Sequence, residues 1–475
     1  MIDQRLDDAS LILLLISADF LASDYCYDIE MKRALERHHA GEARVIPVIL
    51  QPVDWQGAAF GALQALPADA KPVTTWSNQE EAFTNIAQGI RAAVTEMLNP
   101  PTSPATADVQ PASPSVMWQP LPQPALRILH LSDLHITASD DPIVRLQPLL
   151  ADLRDKEGGF GFERLDYLVL SGDLTNRATP EEFDKVYQLI SRLIERFDLS
   201  AERCIIVPGN HDLSWDEQVY EWKQQRLVDP QKLPIGSFVP QGNGYLVRND
   251  EQYHTRFRNF DKFYHSLVQQ PYPLQADEQG LSFFFPEVGL QFLALNSAWE
   301  IDEFFKDRSS INDSAFSRAL LKADEQLTRA RNAGTVTADT SLLRLVVWHH
   351  PVTGNEKILS DAFLARLRQA EVRLCLHGHV HEERADLIGY WHPTRQLRVV
   401  GAGSFGAVAN DRPESTPRLY NLLEIARDHS WVKVHTRHMR KDGGAWEGWA
   451  VWPGTGPYEK RTYYTIDLTA LLKNK

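Results

Sequence analysis

Five short segments carry side chains of the metal-ligand type: Asp133-Leu134-His135, Gly172-Asp173, Gly209-Asn210-His211-Asp212, His349-His350-Pro351 and Gly378-His379-Val380-His381. Each follows an apolar run. Imidazole, carboxylate and amide donors without thiolate suit divalent manganese, iron or zinc rather than soft-metal chemistry. In Gly172-Asp173 the glycine permits close backbone approach, so a single carboxylate can bridge two cations. Alone, each piece is weak, because a lone Asp-x-His is ordinarily a surface loop and Gly-Asp a common turn dipeptide. In isolation His349-His350 reads as a satisfied pair at a strand end, and Gly-His-x-His as a tight turn. Five such clusters in one chain, all behind apolar runs and none with cysteine, point instead to one dinuclear hydrolytic centre.

The elements that must deliver these side chains are strands. Leu126–Ser132, Tyr167–Ser171, Cys204–Pro208 and Leu343–Trp348 are short apolar, β-compatible runs ending at a motif. Alternate positions of an extended segment share a face, so Asp133 and His135 are expected to aim at one point, as are His379 and His381. The adjacent Asn210 and His211 should diverge, one toward a metal and the other toward substrate. Ligands of open α/β sheets sit beyond the carboxyl ends of the strands, where all five clusters fall. The segment Pro180–Phe197 has Phe183, Val186, Tyr187, Ile190, Leu193 and Ile194 at helical spacing and reads as a crossover helix packed on the sheet. An aromatic-rich stretch, Trp215–Tyr272, holds no motif and reads as an insertion or cap that could stack a nucleobase, although its rings suit a self-packed helical hairpin as well. Strands over Leu419–Ile425, Trp431–Arg437 and Arg461–Leu468 would complete the sheets. His130 lies inside its strand run and reads as a core histidine or a support for a ligand; His254, His265 and His392 read as structural. All of this requires the distant ligands to lie within about 10 Å of a common centre.

From about Leu126 onward the ordered series D-x-H, G-D, G-N-H-D, H and G-H-x-H resembles the calcineurin-like metallophosphoesterase superfamily. The spacing from Gly172-Asp173-Leu174-Thr175 to Val207-Pro208-Gly209-Asn210-His211-Asp212 is most similar to its cyclic-nucleotide phosphodiesterase-like branch. The resemblance implies an α/β protein with a C-terminal four-layer α/β/β/α sandwich over residues 125–475, carrying an insertion or cap at about 213–285. It also implies one metal held by Asp133, His135, Asp173 and His381, and a second held by Asp173, Asn210, His349 and His379, with His350 a neighbour only. His211 would contact the phosphate and assist the leaving group, and Asp212 would orient it. Two divalent cations about 3.5–4 Å apart polarise a bridging water into hydroxide for in-line attack, with no covalent enzyme intermediate. The implied substrate is a small anionic phosphoester, foremost a nucleotide-type phosphodiester; a nuclease or a protein phosphatase of the same superfamily is the alternative.

Composition fits this chemistry. The chain has 475 residues, 43% hydrophobic and 24% charged, enough for a large core and two or more domains. A formal net charge of −14 argues against tight wrapping of duplex nucleic acid, whose affinity rests on phosphate neutralisation. A small anion remains compatible, since bound cations supply the local positive field. Cys26, Cys204 and Cys375 are scattered and indicate no disulfide framework. Leu11–Ile16 is too short to span a bilayer, and no basic segment precedes it, so a cytoplasmic protein without membrane association is expected.

Residues 99–124 are rich in proline, serine and alanine and nearly uncharged, which predicts an extended linker. Ahead of it, residues 1–98 alternate strand and helix signals. A strand is expected over Ser10–Ser17, a helix capped by Ser23 or Asp24 over Tyr25–Arg37, a strand over Arg44–Leu50, and a helix over Glu80–Met97 with Phe83, Ile86, Ile90 and Val94 on one side. These segments resemble the C-terminal two thirds of a bacterial TIR domain, a partial flavodoxin-like parallel α/β unit. In the enzymatic members of that family a glutamate acts on the ribose of NAD, and the matching position is Glu30; a solvated helix-face carboxylate beside Arg33 is the plainer reading. Nothing before Ser10 supplies the first strands of such a domain, leaving Leu11–Ile16 as an apolar sheet edge. Either a start further upstream or pairing with another chain, such as TIR–TIR self-association, would cover it. Two functions follow: a phosphoesterase with a TIR-like module for assembly or signal transduction, or a TIR-type NAD-consuming or signalling defence effector with an accessory phosphoesterase.

Overall fold

The computed structural model describes residues 9–17, 34–35, 37–38, 43–53, 63, 65–67, 71–76, 78–98 and 125–469, apart from 235, 338–339, 354–357, 359–360, 383, 390–395, 409–411, 414–415 and 457. The chain divides into two compact units, Met1–Met117 and Trp118–Lys475. The expected linker 99–124, most of the expected helix Tyr25–Arg37, and Cys26, Glu30 and His392 lie outside the described residues.

In the first unit, strand β1 (Leu11–Ile16) runs parallel to β2 (Arg44–Ile49), in register from Leu11 with Arg44 to Ile16 with Ile49. The two faces of β2 enter different cores. Val45 and Ile49 pack with Ile12, Leu14, Ile16 and Leu35; Ile46 and Val48 pack with Leu66, Val73, Ala82, Ile86 and Ala93. Burial on both faces is the mark of a strand inside a parallel α/β sheet. Helix α1 (Gln79–Leu98) supplies Ala82, Ile86 and Ala93, whereas Phe83, expected on the buried side, is 51% exposed because the packed stripe is centred on the smaller residues. On β1, Leu13 and Leu15 are exposed, and among the described residues β1 pairs with β2 alone.

The second unit has four layers. One sheet has the order β17-β16-β15-β3-β4-β5, with β18 also paired to β16; its members are β3 (Leu126–Leu131), β4 (Tyr167–Ser171), β5 (Cys204–Val207), β15 (Arg418–Ile425), β16 (Trp431–Met439), β17 (Glu447–Gly448) and β18 (Tyr463–Asp467). The other has the order β13-β14-β12-β11-β10-β9, built from β9 (Gly280–Phe285), β10 (Leu290–Leu295), β11 (Leu343–Val347), β12 (Leu374–His377), β13 (Arg384–Gly389) and β14 (Gln396–Gly401). Their inner faces meet in a core of Ile128, Tyr167, Val169, Phe292, Leu345 and Leu376 with their neighbours. Helices α2 (Pro142–Arg154), α3 (Pro180–Arg196) and α5 (Arg258–Val268) cover the outer face of the first sheet; α6 (Asp313–Asn332) and α7 (Asp361–Gln369) cover that of the second. Helix α3 starts where its sequence dictates: Thr179 and Glu182 form a reciprocal capping box and Pro180 takes the first turn. Tyr187, expected in its core stripe, is 40% exposed, while Phe183, Val186, Leu189, Ile190 and Leu193 are buried.

The expected insertion at 213–285 divides by packing. Strands β6 (Tyr220–Gln224), β7 (Phe238–Gln241) and β8 (Gly244–Arg248) form a separate antiparallel sheet in the order β6-β8-β7, followed by the short helix α4 (Asp250–Tyr253). Phe260, Phe263 and Tyr264 of α5 join Phe183 in the main core, and β9 is an edge of the second sheet, so these later residues are scaffold. A buried carboxylate ties the small sheet down. Asp302 Oδ2 accepts from Tyr220 Oη and Tyr253 Oη, both at 2.9 Å, while Arg256 donates to the Ile301 and Trp299 carbonyls. Asp302→Ala would orphan both hydroxyls and is expected to loosen this attachment by about 2–4 kcal/mol. The check is limited proteolysis under native conditions, with cleavage between residues 216 and 256 accelerated and the rest of the unit resistant. No described helix is long and apolar enough to cross a membrane.

Candidate metal centre

The five motifs leave the carboxyl ends of β3, β4, β5, β11 and β12, and within each sheet these strands are parallel neighbours. Two sheets therefore present their strand ends at one place. The backbone there is unusual: Asp133 (φ 53°), His135 (44°), Asp173 (54°), His379 (70°) and His381 (53°) are half of the ten described non-glycine residues with positive φ. Strand alternation, the expected aiming device, is replaced by left-handed turns at the strand ends. Such conformations cost roughly 1–3 kcal/mol each and persist only where surroundings enforce them. Here the loops enforce one another. Asp133 N–H donates to the Gly172 carbonyl (3.0 Å), His135 N–H to that of Asp173 (3.1 Å), and Gly378 N–H to that of His349 (3.0 Å).

The donor atoms converge in four interlocking groups, each with its atoms within 4.8 Å: Asp133, His135 and His381; His135, Asp173 and His211; Asp133, Asp173 and His349; and His349, His350 and His379. His381 Nε2 lies 3.0 Å from Asp133 Oδ1 and 3.3 Å from His135 Nε2. His349 Nε2 lies 3.1 Å from Asp173 Oδ2 and 3.2 Å from His379 Nδ1. Ring nitrogens that face one another this closely need a proton or a cation between them. The other His349 nitrogen, Nδ1, donates to the Ser171 carbonyl (2.7 Å), which fixes the ring and turns Nε2 inward.

Asn210 is set beside the centre by its neighbours, since His211 N–H donates to Asp173 Oδ1 at 2.7 Å. Its neighbour Gly209 lies against Asp173, where an added Cβ would stand 2.2 Å from Oδ1. Among the described residues the Asn210 Oδ1 atom is buried without a hydrogen-bond partner. Buried amide oxygens are rarely left unpaired, and a hard cation is a fitting partner. The donor set and this orphaned oxygen together fit divalent metal.

Electrostatics agree. Burial works against the ionised forms of Asp133 and Asp173, but the surrounding histidines outweigh it and hold both carboxylates well below the usual range. Burial lowers His135 to about 4 despite Asp173 and Asp133, keeping its lone pair free. At His349 burial is outweighed by Asp173, which raises it to about 9. His211 resists burial likewise: Asp173 and the Asn176 carbonyl lift it above its ordinary value. Its Nδ1 bonds that carbonyl at 2.9 Å, and its ring stands edge-on to His135 at 4.8 Å.

Asp212 departs from the orienting role the family pattern implies. Its carboxylate accepts from Gly209 N–H (2.9 Å), Leu174 N–H (2.9 Å), Thr175 N–H (3.0 Å) and Thr175 Oγ1 (3.1 Å), so it clamps the Gly172–Thr175 turn to the Gly209–Asp212 turn. The Asn176 carbonyl orients the His211 ring instead. Burial, then Asp173, pushes the Asp212 carboxyl up to about 6. His350, set aside as a neighbour, stands inside the fourth donor group, its Nδ1 held by Ser297 Oγ at 2.8 Å. His130 is buried and bonds Ser171 Oγ (2.9 Å). Cys204 and Cys375 are buried free thiols.

Two supports were missed in the sequence. Ser297 Oγ accepts from the N–H groups of His349 and His350, and the loop after β14 holds Asp133: Gly406 N–H and Ser404 Oγ both donate to its carbonyl, at 2.9 and 3.0 Å. The glycine-rich run Gly401-Ala402-Gly403-Ser404-Phe405-Gly406 behind an apolar strand was the available signal.

Residues 126–383 match the family model described as calcineurin-like phosphoesterase, more than half of the chain. A stretch of 115 residues is 52% identical to an uncharacterized protein of Sinorhizobium fredii and covers 24% of this chain and 36% of that one. Over 318 residues the chain is 24% identical to an uncharacterized metallophosphoesterase-like protein of Bacillus subtilis, covering 65% of this chain and 58% of that one. The chain thus spans less than two thirds of either relative. Among solved structures, a purple acid phosphatase from seeds of yellow lupin, Lupinus luteus, aligns with a TM-score of 0.41 and 14% identity over 74% of this chain and 56% of that one.

Proposed function

This chain belongs to the calcineurin-like phosphoesterase family, and from that premise we propose that its second unit is a dinuclear metal-dependent phosphoesterase acting on a nucleotide-type phosphodiester. The observation that carries the reading is Asp173. It shares one donor group with His135 and His211 and another with Asp133 and His349, the position of a bridging carboxylate. In this reading Asp133, His135, Asp173 and His381 hold one divalent ion, and Asp173, Asn210, His349 and His379 hold the other. The bound pair supplies a polarised water and neutralises charge on the phosphoryl oxygens.

The chain's own residues do the rest. Asp212 locks two turns together so that His211 N–H rests on Asp173 Oδ1 at 2.7 Å. With Nδ1 occupied by the Asn176 carbonyl, His211 offers Nε2 to substrate and delivers a proton to the departing oxygen. An alkoxide leaving group, of a diester or a monoester, takes up that proton. A base is favoured on the far side by the half-buried Trp215, whose Nε1 donates to the Asn210 carbonyl at 3.1 Å beside the centre.

Manganese-loaded protein is expected to hydrolyse bis(p-nitrophenyl) phosphate faster than the monoester, with loss in EDTA and recovery on added Mn²⁺. A panel of cyclic nucleotides, dinucleotides, single-stranded DNA and phosphopeptides then ranks substrates. Faster turnover of phosphopeptide and monoester would replace this reading with a phosphatase, and a preference for single-stranded DNA with a nuclease.

For the first unit, a TIR-like assembly or signalling module is the reading supported by the doubly buried parallel strand β2 and the exposed Leu13 and Leu15 on β1. Self-association that is lost in Leu15→Glu, read by light scattering, is the expected result. Comparing NAD loss in Glu30→Gln with diester hydrolysis in Asp173→Asn separates this module from an NAD-consuming one.

A further inference from the structure

Next to the loop that carries Asp133 and His135, three guanidinium groups share two carboxylates. Arg145 is fully engaged: Nη1 donates to the carbonyls of Leu134 (2.9 Å) and Gly406 (3.2 Å), and Nη2 reaches both oxygens of Asp140 at 3.0 Å. Arg412 and Arg418 are left with Asp442. Arg412 Nη2 stands 3.6 Å and Arg418 Nε 3.0 Å from the same oxygen, Asp442 Oδ1, as ion pairs without directed hydrogen bonds.

Arg412 is the anomaly. Its side chain is 7% exposed, yet Nε and Nη1 are buried with no hydrogen-bond partner among the described residues. Among the described residues Arg373, Arg398 and Arg418 each have one such donor and Arg412 has two, whereas Arg437 directs Nε to Asp152 at 2.8 Å. Burial, and after it the nearness of Arg145 and Arg412, lowers the Arg418 guanidinium, with Asp442 acting in the opposite direction. Among the described residues, two guanidinium groups on one carboxylate leave a positive charge uncompensated, and Asp442, 49% exposed, is where the cluster opens to solvent.

We propose that Arg412 and Arg418 form a phosphate-recognition site, occupied by a second phosphate of the substrate. The proposal rests on the phosphodiester reading above. Arg145 bonds the carbonyl of Leu134, the residue between two donors of the metal centre, so the cluster adjoins the reacting phosphate's site on the β3 side. Arginine suits this task because its rigid, weakly hydrated N–H array matches phosphate oxygens. A substrate bearing two phosphate groups, such as a dinucleotide with a terminal phosphate, meets both sites.

The test has two arms. In EDTA-treated protein, where metals cannot hold the anion, inorganic phosphate is expected to raise the melting temperature relative to chloride of equal ionic strength. The shift should vanish in Arg412→Ala and grow in Asp442→Asn, which removes the competing carboxylate. In manganese-loaded protein, Arg412→Ala is expected to lower kcat/KM roughly ten- to hundredfold for a 5′-phosphorylated dinucleotide and leave bis(p-nitrophenyl) phosphate unchanged. A phosphate-dependent shift without substrate discrimination assigns the site to free phosphate, still an anion site. Absence of the shift in both wild type and Asp442→Asn, with equal kinetic effects on the two substrates, overturns the proposal. Should Arg412→Ala not fold, Asp442→Asn alone decides through the sign of its shift. Wild-type protein that hydrolyses no diester but keeps the phosphate shift would sink the functional reading and spare the anion site.

Discussion

Asp173→Asn is expected to reduce diester hydrolysis on the order of 10³-fold or more while the protein stays folded. The substitution preserves shape. Its amide oxygen can keep the 2.7 Å bond from His211 N–H, and its NH₂ can face His349 Nε2, now 3.1 Å from Oδ2, so no buried partner is stranded. What it cannot preserve is charge at the position that belongs to two donor groups. A neutral amide bridges two divalent cations poorly, so metal content should fall below two per chain along with activity. Elemental analysis beside circular dichroism melting checks this. Activity within tenfold of wild type, with full metal content, would show that Asp173 is not the bridge. His350→Gln is the useful contrast, because His350 Nδ1 already belongs to Ser297.

Much of the centre was legible because ligand chemistry and strand chemistry are both local in sequence. An apolar run ending in Asp133 or Asp173 is readable without tertiary information, and parallel strands bring such ends together by topology alone. The means of aiming was not readable. Propensity places Asp and His in extended or turn conformations, and only the contacts between loops hold Asp133, His135, Asp173, His379 and His381 at positive φ. Asp212 shows the same limit: the residue type was right for a buried acceptor, but three of its four donors, Leu174 N–H, Thr175 N–H and Thr175 Oγ1, are brought in by the neighbouring turn. Ser297 and Ser404 carried no periodic or spacing signal, since a hydroxyl becomes a support only through what folds against it. In α5 the aromatics misled for a related reason. Phe260, Phe263 and Tyr264 follow a cap segment in sequence yet complete a core whose other half, Phe183, lies before the motif.

Gly172→Ala should be damaging to both stability and activity, and the reasons separate cleanly. Gly172 has φ +95°, which L-residues rarely adopt, and the added Cβ would lie 2.5 Å from His349 Nδ1 and 2.8 Å from Gly209 N. Neither neighbour can yield. His349 Nδ1 is fixed on the Ser171 carbonyl at 2.7 Å, and Gly209 N–H is fixed on Asp212 Oδ2 at 2.9 Å. Backbone strain and overpacking together should cost about 3–5 kcal/mol, a fall in melting temperature of about 5–15 °C. The same displacement swings His349 away from Asp173 and parts the Gly209–Asp212 turn from Asp173, so activity should fall about a hundredfold even where the protein remains folded. Gly443→Ala isolates the conformational part, because Gly443 has φ +78° with nothing within 4 Å of its added Cβ. It should cost about 1 kcal/mol and leave hydrolysis intact. If the two variants melt alike and both remain active, the crowding of Gly172 between His349 and Gly209 does not exist, and the convergence of β4, β5 and β11 on one centre fails with it.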